Sequence, residues 1–284
     1  DTATDTSGPC PGQPFGAPTL LEGVNSLDDD DWAGALTGDQ LTLYFSSWRD
    51  GGQGDDDLWV TKRPDPGTAF GPPRPLTALN TPGADRGPCL SADDFTLIFA
   101  SDRPGGQGIL DLWIATRSGP TEDFGGPAPL TEVNSDSWDA GCALSKDGLT
   151  LYLGSTRGGG SGSHDLWVAR RSDPAASFDA PVPLASVNTP DRERGAALSP
   201  DGLELFFASD RPGGQGGLDL WVTSRPSPEA PFGSSTNLGP LNTAGDDTSA
   251  ELSRDGRTLF YNRNADVAGG TRRANIWAAP RLCP

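Results

Sequence analysis

Leu198-Ser199-Pro200-Asp201-Gly202-Leu203-Glu204-Leu205-Phe206-Phe207-Ala208-Ser209-Asp210-Arg211-Pro212-Gly213-Gly214-Gln215-Gly216-Gly217-Leu218-Asp219-Leu220-Trp221 contains a tight polar turn, an apolar β run, a glycine loop and the start of another β run. The pattern recurs along the chain. A leucine followed by Ser or Thr stands at Leu36, Leu90, Leu144, Leu198 and Leu252, always 54 residues apart. Trp59, Trp113, Trp167 and Trp221 keep that spacing, and Trp277 follows after 56. So do Asn80, Asn134, Asn188 and Asn242, and Phe70, Phe124, Phe178 and Phe232. A fixed period of this size marks an array of supersecondary units, none of which buries its apolar face alone.

Each unit reads as four short strands. In the second copy these are Gly87–Ser91, Phe95–Ala100, Asp111–Thr116 and Pro127–Val133. Gly and Pro punctuate the boundaries, and no stretch carries a helical period. Four strands in about 40–50 residues describe a β-propeller blade. The last unit stops after its third strand, near Ala279, while Phe15-Gly16-Ala17-Pro18 begins a fourth strand with no unit before it. Pairing of Pro18–Asn25 with Thr258–Tyr261 and Asn275–Ala279 would close a ring and remove exposed sheet edges. The expectation is all-β: a five-bladed propeller of four-stranded antiparallel blades starting near residues 31, 85, 139, 193 and 247. It fills residues 15–284 after a flexible segment at 1–14.

Cys10 and Cys283 both fall at the repeat position of Asp65, so a closed ring makes them neighbours and predicts a disulfide across the seam. Cys89 and Cys142 start adjacent inner strands but are offset by one position. Geometry alone leaves that second pair open. Paired cysteines imply an oxidising compartment. With 21 Lys+Arg against 39 Asp+Glu, the formal charge is −18, unsuited to nucleic acid or anionic membranes. No apolar run reaches the roughly 18 residues of a membrane span. The polar start Asp1–Gly8 reads as that of an exported protein, periplasmic, outer-membrane-anchored or extracellular, whose leader or anchor has been removed.

The stretch quoted above resembles the WD40-like repeat of the TolB-type propeller family, and the resemblance covers essentially the whole chain. It implies a propeller in the envelope or outside the cell. TolB-type propellers include non-catalytic binding proteins, and the same repeat occurs in peptidase and lyase propellers, so function rests on the site. The fifth unit departs from the motif, with Arg263-Asn264-Ala265 in place of Ser-Asp-Arg, a two-residue insertion, and Asn275 for Asp.

One face of a propeller collects the loops before each inner strand and those between the second and third strands. Five residues before each marker leucine lies an acid: Asp31, Asp85, Asp139, Glu193 and Asp247. Five carboxylates around a channel mouth would repel one another, and a hard cation such as Ca²⁺ is one remedy. The other is local: turn N–H groups or an arginine of the next blade. The flanking positions vary, with Trp32, Arg86, Ala140, Arg194 and Thr248 after the acid and Asp30, Ala84, Trp138, Arg192 and Asp246 before it. Trp32, Arg86, Trp138, Arg192 and Arg194 are the candidate ligand residues, suited to a glycan or to a peptide or protein partner. The repeated tryptophans are core. Asp57, Asp111, Asp165 and Asp219 are expected to brace the glycine loop by pairing with Arg49, Arg103, Arg157 and Arg211, with Ca²⁺ in that loop as a second reading. No helix follows the glycines, so a phosphate cradle is not indicated. The single histidine, His164, has no second member for a triad or a multi-histidine metal site. The expectation is a monomeric, non-catalytic binding or scaffold module. The alternative is a glycosidase-like hydrolase using two channel carboxylates.

Overall fold

The computed structural model describes residues 10–266 and 272–283. Residues 1–9 of the expected flexible segment, and part of the insertion in the fifth unit, lie outside the described residues. The chain forms five four-stranded antiparallel sheets. The innermost strands are Asp31–Leu36, Asp85–Leu90, Asp139–Leu144, Glu193–Leu198 and Asp247–Leu252. In the first blade Thr42–Ser47 and Asp57–Lys62 follow, and the edge is the two-residue strand Arg74–Pro75. The second and third strands are apolar on both faces because each blade is sandwiched between two others. The outer strands are short, which leaves little free edge.

Five apolar clusters lie between successive blades, and one of them joins the fifth blade to the first through Phe260 and Ile276 against Phe45 and Trp59. The ring is therefore closed. Trp59, Trp113, Trp167 and Trp221 are buried in these layers, as their mid-strand positions predict.

Each conserved-looking mark of the repeat has a local task. Ser or Thr after the marker leucine donates to an Asp two residues on, at 2.5–2.6 Å in all five copies, and shapes the turn into the second strand. Asn80 brackets the third strand by accepting from Leu58 N at 2.9 Å and donating to Leu58 O at 3.0 Å, and Asn134, Asn188 and Asn242 do the same. Phe70, Phe124, Phe178 and Phe232 each lie under an arginine, at 4.3–4.7 Å.

The N-terminal segment supplies these parts to the last blade. Thr19–Leu20 pairs with Arg272–Pro280 as a fourth strand. It does not also touch Thr258–Tyr261, which lies on the far side of that strand. The expected double pairing is corrected on this point, since a strand has two edges and the second is taken. Asn25 brackets Ile276 as Asn80 brackets Leu58, and Arg281 covers Phe15 at 4.7 Å. Cys10 and Cys283 are joined, with Cα atoms 5.8 Å apart, and so are Cys89 and Cys142, 5.9 Å apart. Among the described residues no helix is long and apolar enough to cross a membrane.

The Cys10→Ser, Cys283→Ser double variant is expected to lose up to roughly 5 kcal/mol, the loop entropy of a bond that spans nearly the whole chain. Chemical denaturation followed by tryptophan fluorescence measures it, and an unchanged midpoint would mean the seam is held by packing alone.

Candidate functional site

The acidic position comes first, because its placement decides what the channel mouth can hold. Asp31, Asp85, Asp139, Glu193 and Asp247 are fully buried. Each pairs with an arginine of its own blade: Arg49 with Asp31, Arg103 with Asp85 at 2.6 Å, Arg157 with Asp139 at 2.5 Å, Arg211 with Glu193 at 2.9 Å and Arg263 with Asp247 at 3.4 Å. The carboxylates also accept backbone N–H groups of the preceding loop, from Ser26, Thr81, Ser135, Thr189 and Thr243. Among the described residues no group of three or more His, Cys, Asp or Glu side chains is placed to hold a metal ion. Of the two remedies for their repulsion, the geometry shows the local one, with an arginine of the same blade in place of the expected next one: their oxygens are engaged separately, each inside its own blade.

The same geometry corrects the expected Asp57–Arg49 pairing. Asp57 instead accepts from Gln53 N at 2.8 Å and Gly54 N at 3.0 Å, and Asp111, Asp165 and Asp219 close their loops in the same way. This fit explains the Gly-Gly-x-Gly spacing. A Cβ on Gly52 would lie 1.8 Å from the Asp57 carboxylate, and one on Gly54 would lie 2.1 Å from the carbonyl of Gly83.

Every inner strand carries a bulge just after the variable position. Gly87, Gly141 and Gly195 adopt φ near +60° there, and a Cβ on Gly141 would sit 3.1 Å from Cα of Gly195. Backbones of neighbouring blades therefore almost touch around the axis. A cavity opens on each side of this waist.

The upper cavity, about 170 Å³, is the cup at the loop-bearing face. All five variable residues, Trp32, Arg86, Ala140, Arg194 and Thr248, line it, together with Trp138, Ser46 and Asp56. Trp32 meets Trp48 edge to face at 5.4 Å, and Trp138 meets His164 likewise at 5.6 Å. Of the candidate ligand residues, Trp32, Arg86, Trp138 and Arg194 come together here. Arg192 does not line the cup: its Nε and backbone N both donate to Asp210 on the rim.

Asp56 and Trp48 escape the sequence reading, and His164 enters it only as a lone histidine, although the repeat marks all three. Asp56 and His164 share the position of Leu110 and Leu218, and Trp48 that of Asp102 and Asp210. Asp56 is 1% exposed and lies 3.1 Å from Arg86 Nε, with its Oδ1 lacking a hydrogen-bond partner. Burial pushes its carboxyl up to about 7, with Arg86 and the Trp48 indole pulling the other way. Burial, then Arg194 and Arg192, hold His164 below its ordinary value, which keeps the imidazole neutral.

The lower cavity, about 320 Å³, is a funnel ringed by the five marker leucines. Glu251 reaches into it from a position that is Ala or Cys in the other blades. Burial pushes its carboxyl up to about 8, against the pull of Arg254. Arg254 itself crosses to Asp94 of the second blade at 2.9 Å.

Solved structures with this fold include TolB proteins and glycoside hydrolases. TolB from Acinetobacter baumannii is similar over 91% of this chain, at 16% identity and a TM-score of 0.54, and this chain spans 56% of its length. A thermostable family-43 glycoside hydrolase is similar over 91% of this chain and 92% of its own, at 14% identity and a TM-score of 0.61. An α-L-arabinofuranosidase from Podospora anserina, solved with cellotriose, is similar over 96% of this chain and 98% of its own, at 12% identity and a TM-score of 0.60. At such identities the likeness is one of fold. No protein-family model and no curated protein matches the chain.

The acids of the two cavities set a pH dependence. The folded chain keeps the Glu251 proton up to about pH 8, while the unfolded chain loses it near 4.5. The folded state binds more protons between those values, so stability falls as pH rises through them. Asp56 acts in the same direction between 3.8 and about 7. Glu251→Gln is expected to be more stable than the parent at pH 8.5, on the order of a few kcal/mol, and to lose most of that advantage by pH 4.5. Urea midpoints across pH 4.5–9 read this, and parallel curves would place Glu251 in water.

Proposed function

We propose that the chain is an exported, non-catalytic binding propeller of the TolB type that takes a glycan in the upper cup. One observation carries this reading: two edge-to-face aromatic pairs, Trp32–Trp48 on the first blade and Trp138–His164 on the third, border a cavity that Ser46, Arg86, Arg194 and Thr248 also line, among alanines and glycines. Sugar rings present C–H faces to aromatic planes and hydroxyls to arginine, serine and threonine, and this cup offers both kinds of group. The waist of close-packed glycines gives the cup a rigid floor. Export is supported by two disulfides, which persist in oxidising compartments. A protein partner on the loop face, and a monomeric state, are compatible with the same cup.

The alternative, glycoside hydrolysis, draws on the glycosidase propellers that share the fold. Hydrolysis of a glycosidic bond ordinarily uses two carboxyl groups about 5–10 Å apart. Asp56 is the one acid lining the cup among the described residues, and Arg86 holds it. This favours binding without turnover.

A glycan array followed by titration calorimetry tests the proposal. The expected result is retention of a defined oligosaccharide, weakened about tenfold by Trp138→Ala, the loss of roughly 1.4 kcal/mol of ring stacking. Failure to retain any glycan would sink the reading. Release of new reducing ends from the retained oligosaccharide would replace it with the hydrolase.

A further inference from the structure

We infer that the cup selects sugars bearing a carboxylate, and that Arg194 is the group that receives it; the inference rests on the glycan reading above. Arg194 lines the cup, yet its Nε is buried without a hydrogen-bond partner, and no ion pair engages it among the described residues. The two acids near it act on it from a distance and make no ion-pair contact with it. Asp210 holds Arg192, and Asp246 caps the backbone N–H of Leu218 at 2.8 Å. Burial, and then the like charge of Arg192, lower the guanidinium's hold on its proton. A partly buried cation with a like charge beside it and no partner is unfavourable in the free protein. An anion entering the cup would relieve that penalty.

Arg86 has an acid beside it, Asp56 at 3.1 Å, and His164 is held toward its neutral form, so Arg194 is the cup-lining cation with no ion pair among the described residues. The guanidinium fork fits the two oxygens of a planar carboxylate in a bidentate contact. The remainder of the chain, at −18, repels anions from a distance, so an acidic ligand depends on this local charge. The aromatic pairs supply the rest of the contact and ask for a ring next to the charge. A uronic acid residue within an oligosaccharide has both.

Three trisaccharide probes decide the matter by calorimetry: tri-galacturonic acid, its methyl ester and neutral tri-galactose. The acid is expected to bind at least tenfold more tightly than the ester, and raising the salt is expected to narrow that ratio. Arg194→Gln should bring the ratio to within about twofold of one, with Arg194→Lys between the two. Arg194→Gln should also melt no lower than the parent, because a buried cation without a partner is removed. Equal binding of all three probes would overturn the carboxylate inference and leave the glycan reading standing. So would a preference for an O-sulfated trisaccharide over the uronate, or an acid preference that survives Arg194→Gln. No binding of any trisaccharide, together with an empty array, would overturn both.

Discussion

The buried arginine–acid pair is the joint on which each blade depends. In the second blade Arg103 donates to the Asp85 carboxylate, to the carbonyl of Leu79 and to the Ser101 hydroxyl. Its guanidinium also lies over Phe99 at 4.9 Å and Trp113 at 5.1 Å. One side chain thus ties the incoming loop, the innermost strand, the second strand and the third. A buried pair of this kind adds little over an apolar substitute, but removing one partner leaves a bare charge inside, at a cost of about 3–5 kcal/mol. The pair therefore specifies geometry more than it adds stability. The fifth blade shows how strongly the joint is required. Its arginine, Arg263, sits two residues earlier, where the other blades have serine, and still reaches Asp247 at 3.4 Å and the carbonyl of Leu241 at 2.9 Å.

Ring closure obeys the same logic of completing a unit. A fifth blade without its fourth strand would lack an asparagine bracket and a capped phenylalanine. Asn25 and Phe15 restore both from the other end of the chain. Glu204 then holds the closing segment by accepting from Gly12 N and pairing with Arg281, each at 2.9 Å. The Cys10–Cys283 bond reinforces a seam already built from repeat contacts. The Cys89–Cys142 bond is different, because it staples the inner strands of two internal blades beside the waist.

The architecture was legible because the repeat makes every local requirement visible five times. Strand order, the seam and the burial of the tryptophans all follow from the 54-residue spacing. The acids at Asp31, Asp85, Asp139, Glu193 and Asp247 carry two readings in the sequence, a cation or local pairing, for that same reason. Strict repetition marks what every blade needs, and here that need is an internal ion pair. Position counting places an acid near the axis but does not say whether its oxygens face the channel or an arginine of its own blade. Arg192 was misplaced for a related reason, since an aspartate 18 residues on draws it to the rim. The cup itself was readable only from departures: Trp32, Arg86, Trp138 and Arg194 vary between copies. Asp56, Trp48 and His164 vary too, but they sit next to Asp57, Ser47 and Asp165, which recur in the first four blades, where strand ends dominate the reading.

Those departures are not spread evenly. Leu110 and Leu218 are buried apolar residues at the repeat position that Asp56 and His164 occupy in the first and third blades. An acid in a leucine's place, with one oxygen unbonded, is a loss that packing alone does not justify. The same side of the cup carries Trp48, where the second, third and fourth blades have an Asp or Thr that caps the neighbouring backbone. The first blade gives up that cap and gains an exposed indole. Opposite, Arg194 keeps a buried Nε without a partner. Each of these residues departs from what most blades hold at its repeat position, and they gather at one end of one channel. The lower funnel carries a departure as well, Glu251 where the other blades have Ala or Cys. The larger cluster, at the cup, is what sets the site apart from the scaffold that holds it.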